Sequence, residues 1–264
     1  MKLVILKNYE EISGWAARYT AKKINDYQPT PDKPFVLGLP TGSSPMGMYA
    51  ELISMYKSGM ISFENVVTFN MDEYAGLPEN HPESYHSFMQ RHLFDHINIR
   101  KDSIHIPDGN APDLMKECNA YEEKIKSYGG IRLFLGGMGA DGHIAFNVPG
   151  SSLYSRTRLV NLNYETIAAN ARFFDNELMK VPKQALTVGV QTIMDAEEVM
   201  IVVSGLNKAR ALQKVVEGGI NHMWTLSALQ NHPNAIIVCD EKATWELKTG
   251  TVNYFKELNN ADNL

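Results

Sequence analysis

The chain is poor in cysteine. Its 264 residues include only Cys118 and Cys239, which lie far apart and outside any Cys-x-x-Cys or Cys/His ligand spacing. This pattern excludes a disulfide framework and indicates no zinc site. The chain also has little excess of either charge, because 25 Lys and Arg residues nearly balance 30 Asp and Glu residues, which gives a formal net charge of -5. The balance provides no bulk attraction for nucleic acid or an anionic membrane, so an anionic ligand has to be held by a local cluster.

Long apolar runs are absent as well. The first run, Leu3–Leu6, is too short for a signal-peptide core or a membrane span, and no later run is long enough. We therefore expect a cytoplasmic protein without a membrane partner. No linker rich in Pro, Gly or Ser and no repeat interrupts the chain, which predicts one domain over residues 1–264. With 44% hydrophobic residues, this domain is able to bury a full core.

Short, continuous aliphatic runs recur along the chain, separated by apolar residues at helical spacing. Continuous apolar strands are buried on both faces, which is typical of a mainly parallel sheet. The alternation predicts a three-layer, Rossmann-like α/β fold with helices on both faces of that sheet. The runs are Leu3–Leu6, Phe35–Leu39, Val66–Phe69, Ile131–Leu135, Val199–Val203 and Ala235–Val238.

The loop after the second run is a candidate phosphate site, because ligands of such sheets bind beyond the carboxyl ends of the strands. It reads Thr41-Gly42-Ser43-Ser44-Pro45. Ser44 suits a helix N-cap and Pro45 the first helical position, so backbone N–H groups and hydroxyls are available to an anion. An ordinary capped turn is the commoner outcome, and the lack of GxxxxGK[ST] excludes a nucleotide P-loop.

Titratable side chains follow other strands. Asp72 comes after the third run, where apolar neighbours suit a carboxyl for general-base chemistry. Asp141 and His143 lie on the glycine-rich loop after the fourth run and are able to move protons near neutral pH. Lys208 after the fifth run, with Arg172, is a candidate phosphate clamp. Each has a plainer reading as a cap, a turn residue or a solvated cation; their coincidence favours a site.

Two other patterns are weaker. Residues 137–142 match GxGxxG, but Pro149 soon breaks the stretch in which a dinucleotide fingerprint requires a helix. We therefore expect no nicotinamide or flavin cofactor. His92 and His96 are spaced by one helical turn without a third ligand, so we expect no metal.

Several strings are distinctive when read together. They are Phe69-Asn70-Met71-Asp72-Glu73-Tyr74, His81-Pro82-Glu83-Ser84-Tyr85, Asp141-Gly142-His143-Ile144-Ala145-Phe146-Asn147, Ala171-Arg172-Phe173-Phe174 and His222-Met223-Trp224-Thr225. These strings resemble the glucosamine-6-phosphate deaminase family, and the resemblance extends from Met1 to about Phe255.

The resemblance implies an activity. The expected reaction converts D-glucosamine 6-phosphate and water into D-fructose 6-phosphate and ammonia, in amino-sugar and N-acetylglucosamine catabolism, without a cofactor. It would be classed as a hydrolase acting on an amino-sugar phosphate. By resemblance, His143 oriented by Asp141 opens the sugar ring, and Asp72 is the base of the aldose-to-ketose shift.

The resemblance also implies how the substrate is held. Thr41, Gly42, Ser43 and Ser44 would bind the phosphate together with two cations. These cations are Lys208 and Arg172, and the latter would lie on a mobile lid near residues 161–181.

One departure bears on catalysis. The resembling enzymes carry glutamate after Phe146-Asn147, and here Val148 stands in its place. Valine neither accepts a hydrogen bond from the imidazole nor holds a proton, so ring opening is the step in question. The alternatives are a weakened homologue that binds amino-sugar phosphates and a sugar-phosphate isomerase or lactonase with a shifted substrate.

A second departure bears on regulation. Some resembling bacterial enzymes are hexamers activated by N-acetylglucosamine 6-phosphate, and the matching positions are Met1, Ser151, Arg158 and Tyr254. Val160 replaces a lysine that contacts the effector phosphate, which leaves allosteric activation open. We expect a homo-oligomer.

Overall fold

A computed structural model describes residues 1–261 and contains two sheets. The larger has seven strands in the order β1-β10-β9-β6-β2-β3-β5, and every neighbouring pair is parallel. The smaller is antiparallel, in the order β4-β8-β7. The strands are β1 (Lys2–Leu6), β2 (Phe35–Leu39), β3 (Val66–Asn70), β4 (Asp72–Tyr74), β5 (Ile104–His105), β6 (Leu133–Gly137), β7 (Arg158–Asn161), β8 (Gln184–Thr187), β9 (Val199–Val203) and β10 (Ala235–Asp240).

Helices cover both faces of the large sheet, which confirms the predicted fold class. They are α1 (Tyr9–Tyr27), α2 (Met46–Lys57), α3 (Tyr85–His92), α4 (Leu114–Ser127), α5 (Tyr164–Asn170), α6 (Val190–Met194), α7 (Ala209–Glu217) and α8 (Thr249–Ala261). Within residues 1–261, no helix is long and apolar enough to cross a membrane.

Alternate residues of each central strand enter different cores. In β9, Ile201 packs in the cluster that includes α7, whereas Met200 and Val202 pack in the cluster that includes α1 and α2. A strand buried on both sides has no polar face, because the side chains on its second face pack into a second core and do not meet solvent. This is why these strands read as continuous apolar runs in the sequence.

Asp72 follows the third predicted run, as expected, and it opens a strand of the other sheet. β3 ends at Asn70, and the chain then crosses to the small sheet, where Asp72 is the first residue of β4. The Met71 N–H donates to the Leu39 carbonyl at 3.0 Å and the Met71 carbonyl accepts from Val188. These bonds join the end of β2 to the residue after β8, through the residue that immediately precedes Asp72.

Candidate active site

A cavity of about 700 Å³ opens at the carboxyl edge of the large sheet. It lies where β2, β6 and β9 end and where the small sheet begins. Eight of the nine residues predicted for catalysis or substrate binding line it, and the ninth, Asp141, contacts His143. The eight are Thr41, Gly42, Ser43, Ser44, Asp72, His143, Arg172 and Lys208.

The loop after β2 is held by a residue that the sequence analysis missed. The Tyr9 hydroxyl accepts from the Gly47 N–H at 2.8 Å and lies within donor distance of the Ser43 and Ser44 carbonyls, at 3.0 and 3.1 Å. Gly42 has φ +91°, which favours glycine. The cap prediction was wrong: Pro45 occupies the N-cap position with no side-chain cap bond, so Ser44 is left beside the cavity.

Asp72 is the buried carboxyl of the cavity. It pairs with Thr187 of β8 and is only 7% exposed. Burial, with a further contribution from the charge of Glu73, raises the pKa of Asp72 to about 8. A carboxyl with such a pKa exchanges protons readily near neutral pH, as general-base chemistry requires.

Glu73 faces away from Asp72 and fixes helix α3. Its carboxylate accepts from the backbone N–H groups of Tyr74, Tyr85 and His86 at 2.7, 3.1 and 3.0 Å. It also lies 2.8 Å from Nδ1 of His86. These contacts place Tyr85 in the cavity wall beside Asp72. The sequence carries no signal for this role beyond the adjacency of two acidic residues.

Asp141 and His143 form a close pair. Nδ1 of His143 lies 2.5 Å from Oδ1 of Asp141, and among the described residues neither atom has another hydrogen-bond partner. Burial raises the pKa of Asp141, but the hydrogen bond and charge of His143 outweigh it, so the net pKa lies below the ordinary value. The pairing of Nδ1 leaves the other ring nitrogen for a ligand.

Glycine permits this pairing. A Cβ on Gly139 would overlap the His143 ring and lie 2.6 Å from Oδ1 of Asp141. The turn closes through the Gly139 N–H, which donates to the His143 carbonyl at 2.9 Å. The glycines of the GxGxxG pattern thus serve an acid–base turn. No helix opens there, as predicted, since the next regular element is β7.

Asn147, fully buried, holds the remainder of this loop and was missed by the sequence analysis. Its Nδ2 donates to the Ile144 and Val188 carbonyls at 2.9 Å, and its Oδ1 accepts from Arg158 at 2.8 Å. Val148 follows it and is half-buried. Within the described chain, the cavity lining includes Ala145 and Phe146 of this loop but not Val148.

The two cations differ in environment. Arg172 is exposed, and its guanidinium lies 4.6 Å from the centre of the Phe173 ring. Lys208 is half-buried, and burial lowers its pKa, with the charge of Asp141 opposing and that of Arg172 adding to this effect. The charge of Arg172 therefore acts on Lys208, and both side chains line the same cavity.

The predicted lid segment contains α5 and the turn that carries Arg172. Nδ2 of Asn170 donates to the Tyr74 hydroxyl at 2.9 Å. Phe174 packs edge-on against the Tyr74 ring, with centroids 5.8 Å apart. Tyr74 lies two residues after Asp72, so the segment contacts the strand that carries the candidate base.

Within the described chain, the four positions matched to an effector site lie outside the lining of this cavity. Met1 lines a separate cavity beside β1, and Tyr254 is exposed on α8. The Ser151 N–H donates to the Val148 carbonyl, and Arg158 lies in β7 with its guanidinium on Asn147.

Residues 1–261 contain no group of three or more His, Cys, Asp or Glu side chains placed to hold a metal ion. His92 ends α3 and lines the active cavity, whereas His96 lies in a separate 3₁₀ turn.

Comparison with known sequences identifies close relatives. A family profile described as glucosamine-6-phosphate isomerases/6-phosphogluconolactonase matches residues 7–245. The glucosamine-6-phosphate deaminase of Borrelia hermsii is 64% identical over 258 residues, covering 98% of this chain and 97% of that protein. The enzyme of the same name from Bacteroides thetaiotaomicron is also 64% identical over 258 residues, covering 98% and 96%.

Comparison with solved structures separates two degrees of likeness. A monomeric glucosamine-6-phosphate deaminase matches with a TM-score of 0.88 at 43% identity, covering 92% of this chain and 99% of that one. A 6-phosphogluconolactonase from Trypanosoma cruzi matches with a TM-score of 0.72 at 19% identity, covering 94% and 97%. The second likeness is one of fold alone.

Proposed function

Because this chain belongs to the glucosamine-6-phosphate isomerase/6-phosphogluconolactonase family, we propose that it converts D-glucosamine 6-phosphate and water into D-fructose 6-phosphate and ammonia. One observation carries the proposal: the Asp72 carboxyl and the Asp141–His143 pair meet in one cavity with two cations and the Gly42 loop. In this arrangement, Asp72 is available to move a proton on carbon, and the Asp141–His143 pair is available to move protons on oxygen.

The phosphate binds at the Gly42–Ser44 loop. Backbone N–H groups at the start of α2 and the serine hydroxyls donate to it, and the dipole of α2 favours its negative charge. Lys208 and Arg172 add charge-assisted hydrogen bonds. Holding the phosphate at one end of the cavity positions C1 and C2 of the sugar at the other.

The His143 imidazole opens the ring. It takes the proton of the C1 hydroxyl and returns a proton to the ring oxygen as the C1–O bond breaks, which leaves an aldehyde at C1. Asp141 fixes the orientation of the ring through its contact with Nδ1. Because Asp141 already occupies Nδ1, a glutamate at position 148 would add to this pair rather than replace it.

Asp72 performs the isomerisation. It removes the proton from C2, and the electron pair moves onto the aldehyde oxygen, which takes up a proton to give an enolamine. A proton is then returned to C1 as the nitrogen lone pair forms the C2=N bond, which gives a protonated imine at C2. Water then adds to C2 and ammonia leaves, so a hydrolytic step follows the isomerisation. Burial and the charge of Glu73 raise the pKa of Asp72. The carboxyl is therefore able to keep the proton that it takes from C2 until it delivers that proton to C1.

The remaining expectations extend this proposal. Closure of the segment at residues 161–181 would bring Arg172 onto the phosphate and exclude water. A cytoplasmic location, a homo-oligomer and an N-acetylglucosamine 6-phosphate effector at Met1, Ser151, Arg158 and Tyr254 stay predictions.

The decisive experiment is to measure ammonia and fructose 6-phosphate formed from glucosamine 6-phosphate by the parent chain, by Val148→Glu and by the matched neutral control Val148→Gln. We expect stoichiometric formation of both products by the parent. Faster turnover in Val148→Glu alone would show that an added carboxylate assists ring opening. Failure of the parent, with glucose 6-phosphate or a phosphogluconolactone as a better substrate, would overturn the assignment.

A further inference from the structure

Lys208 reaches the cavity through a short turn whose geometry is set by another strand. The turn begins at Ser204 after β9, passes Gly205 at φ +94° and enters a 3₁₀ helix, Leu206–Lys208. The Lys208 N–H donates to the Gly205 carbonyl at 3.1 Å. The direction of the Gly205 peptide therefore determines where the lysine side chain starts.

Asp240, the last residue of β10, holds that peptide. In the parallel register, Cys239 pairs with Val203, so Asp240 lies beside Ser204 at the same edge of the sheet. Its carboxylate accepts from the Ser204 hydroxyl at 2.6 Å and from the Gly205 N–H at 3.0 and 3.1 Å. Both oxygens thus bind the turn that leads to Lys208.

The same carboxylate is anchored on its own side. Oδ1 of Asp240 also accepts from the Ala243 N–H at 2.8 Å, as the N-cap of the following 3₁₀ turn. The residue is only 4% exposed. A buried carboxylate whose oxygens accept several fixed donors is rigid, so it transmits the position of β10 to the turn after β9.

Asp240 acts on the lysine through the backbone. Among the described residues, it is not part of the cavity lining. The charges that shift the pKa of Lys208 are those of Asp141 and Arg172. Asp240 is connected to Lys208 through Gly205, whose N–H donates to Asp240 and whose carbonyl accepts from the Lys208 N–H.

We propose that Asp240 is a positioning residue of the phosphate site, which holds the Ser204–Gly205 turn so that Lys208 meets the substrate phosphate. The inference rests on the proposed phosphate-binding role of Lys208. It assigns to a buried carboxylate, remote from the reacting carbons, a share of the substrate affinity.

The test is a double-mutant cycle on the full chain with Asp240→Asn, Lys208→Ala and both together. The asparagine keeps the shape but replaces one accepting oxygen with an amide donor. The readouts are KM and kcat for glucosamine 6-phosphate and the dissociation constant of inorganic phosphate measured by calorimetry. We expect Asp240→Asn to raise KM and the phosphate dissociation constant about 5- to 30-fold, with kcat changed less than threefold, which corresponds to weakening of the one charge-assisted bond that Lys208 donates to the phosphate.

In the Lys208→Ala background the same substitution should change phosphate binding less than twofold, because the group that it positions is gone. An equal effect in both backgrounds would overturn the inference, as would a fall in kcat at constant KM. Phosphate binding is measured without turnover, so an enzyme that releases no ammonia overturns the proposed function while the cycle still tests the inference.

Two further variants guard against a general loss of structure. Ser204→Ala removes one donor to Asp240 and should show a smaller shift in the same direction that also vanishes with Lys208→Ala. Glu241→Gln changes the adjacent, exposed carboxylate, which pairs with Lys256 at 3.0 Å, and should leave phosphate binding unchanged. An effect of Glu241→Gln equal to that of Asp240→Asn would overturn the inference.

Discussion

Nδ2 of Asn170 donates to the hydroxyl of Tyr74 at 2.9 Å, across a sequence separation of 96 residues. Asn170 ends α5 in the segment that carries Arg172, and Tyr74 lies on the same strand as Asp72. The bond therefore joins the segment that would cover the phosphate to the strand that would perform the proton transfer.

Removal of this bond should loosen the segment. A single neutral hydrogen bond contributes about 0.5–1.5 kcal/mol, so Asn170→Ala is expected to raise KM by up to about tenfold. Hydrogen exchange of the α5 backbone should become faster, as seen by mass spectrometry. Glu165→Ala, an exposed change on the same helix, is the control. Unchanged exchange in Asn170→Ala would mean that packing of Phe174 alone holds the segment.

Asp72→Asn should abolish the proton transfer at carbon and spare phosphate binding. The amide cannot accept the C2 proton, and the proposed phosphate contacts are made by other residues of the cavity lining. The measurement is incorporation of solvent deuterium at C1 of the product, together with calorimetry of inorganic phosphate. Deuterium incorporation at the parent rate would remove Asp72 from this role.

The same substitution should stabilise the fold at alkaline pH. The pKa of Asp72 is raised to about 8 from an ordinary value near 4, so the folded chain binds its proton more tightly than the unfolded chain does. That contribution is fully present below about pH 4 and is lost as the pH rises through about 8. Asp72→Asn should raise Tm at pH 9 by at least about 3 °C, the shift that about 1 kcal/mol produces at this size.

The gain in Tm should shrink steadily toward pH 5, because the Asp72 carboxyl of the folded parent is then protonated and as neutral as the amide. Asp32→Asn, which changes an exposed carboxyl, should leave Tm unaltered across the range. A gain in Asp72→Asn that is independent of pH would show that burial of the charge is not its cause.

Gly139→Ala should damage ring opening selectively. The added Cβ would overlap the His143 ring and approach Oδ1 of Asp141 to 2.6 Å, so one of the pair has to move. A displacement of this size in an acid–base pair is expected to lower kcat about 100-fold while phosphate affinity is retained. Gly219→Ala, where an added Cβ meets no atom within 4 Å, is the matched control. Equal activity of the two variants would contradict the assigned role of the pair.

The two phosphate cations should not be equivalent. Each loses a charge-assisted bond of about 1.5–3 kcal/mol when truncated to alanine, and water screens the exposed Arg172 more than the half-buried Lys208. Lys208→Ala is therefore expected to weaken phosphate binding more than Arg172→Ala. The measurement is the dissociation constant of inorganic phosphate for each variant relative to the parent, by calorimetry at low salt. The reverse order would place the phosphate nearer the lid.

Residue patterns along the chain are enough to predict the layers of the fold and the edge of the sheet at which the site lies. Runs such as Val199–Val203 are apolar throughout because two cores bury them. Such a run is a local property of the chain and can be recognised without the fold. Asp72, His143 and Lys208 were found because parallel strands bring their carboxyl ends together.

The contacts that hold that site in place are visible only in the folded chain. Tyr9, Asn147 and Asp240 each bond a loop that is distant in sequence, and nothing in their local context distinguishes them from a surface tyrosine, a turn asparagine or a helix cap. The cap at Ser44 was mispredicted for the same reason, since a distant hydroxyl supplies the bond that local chemistry would have assigned to the serine. Such contacts depend on how sheets and helices meet, which residue type and spacing do not encode.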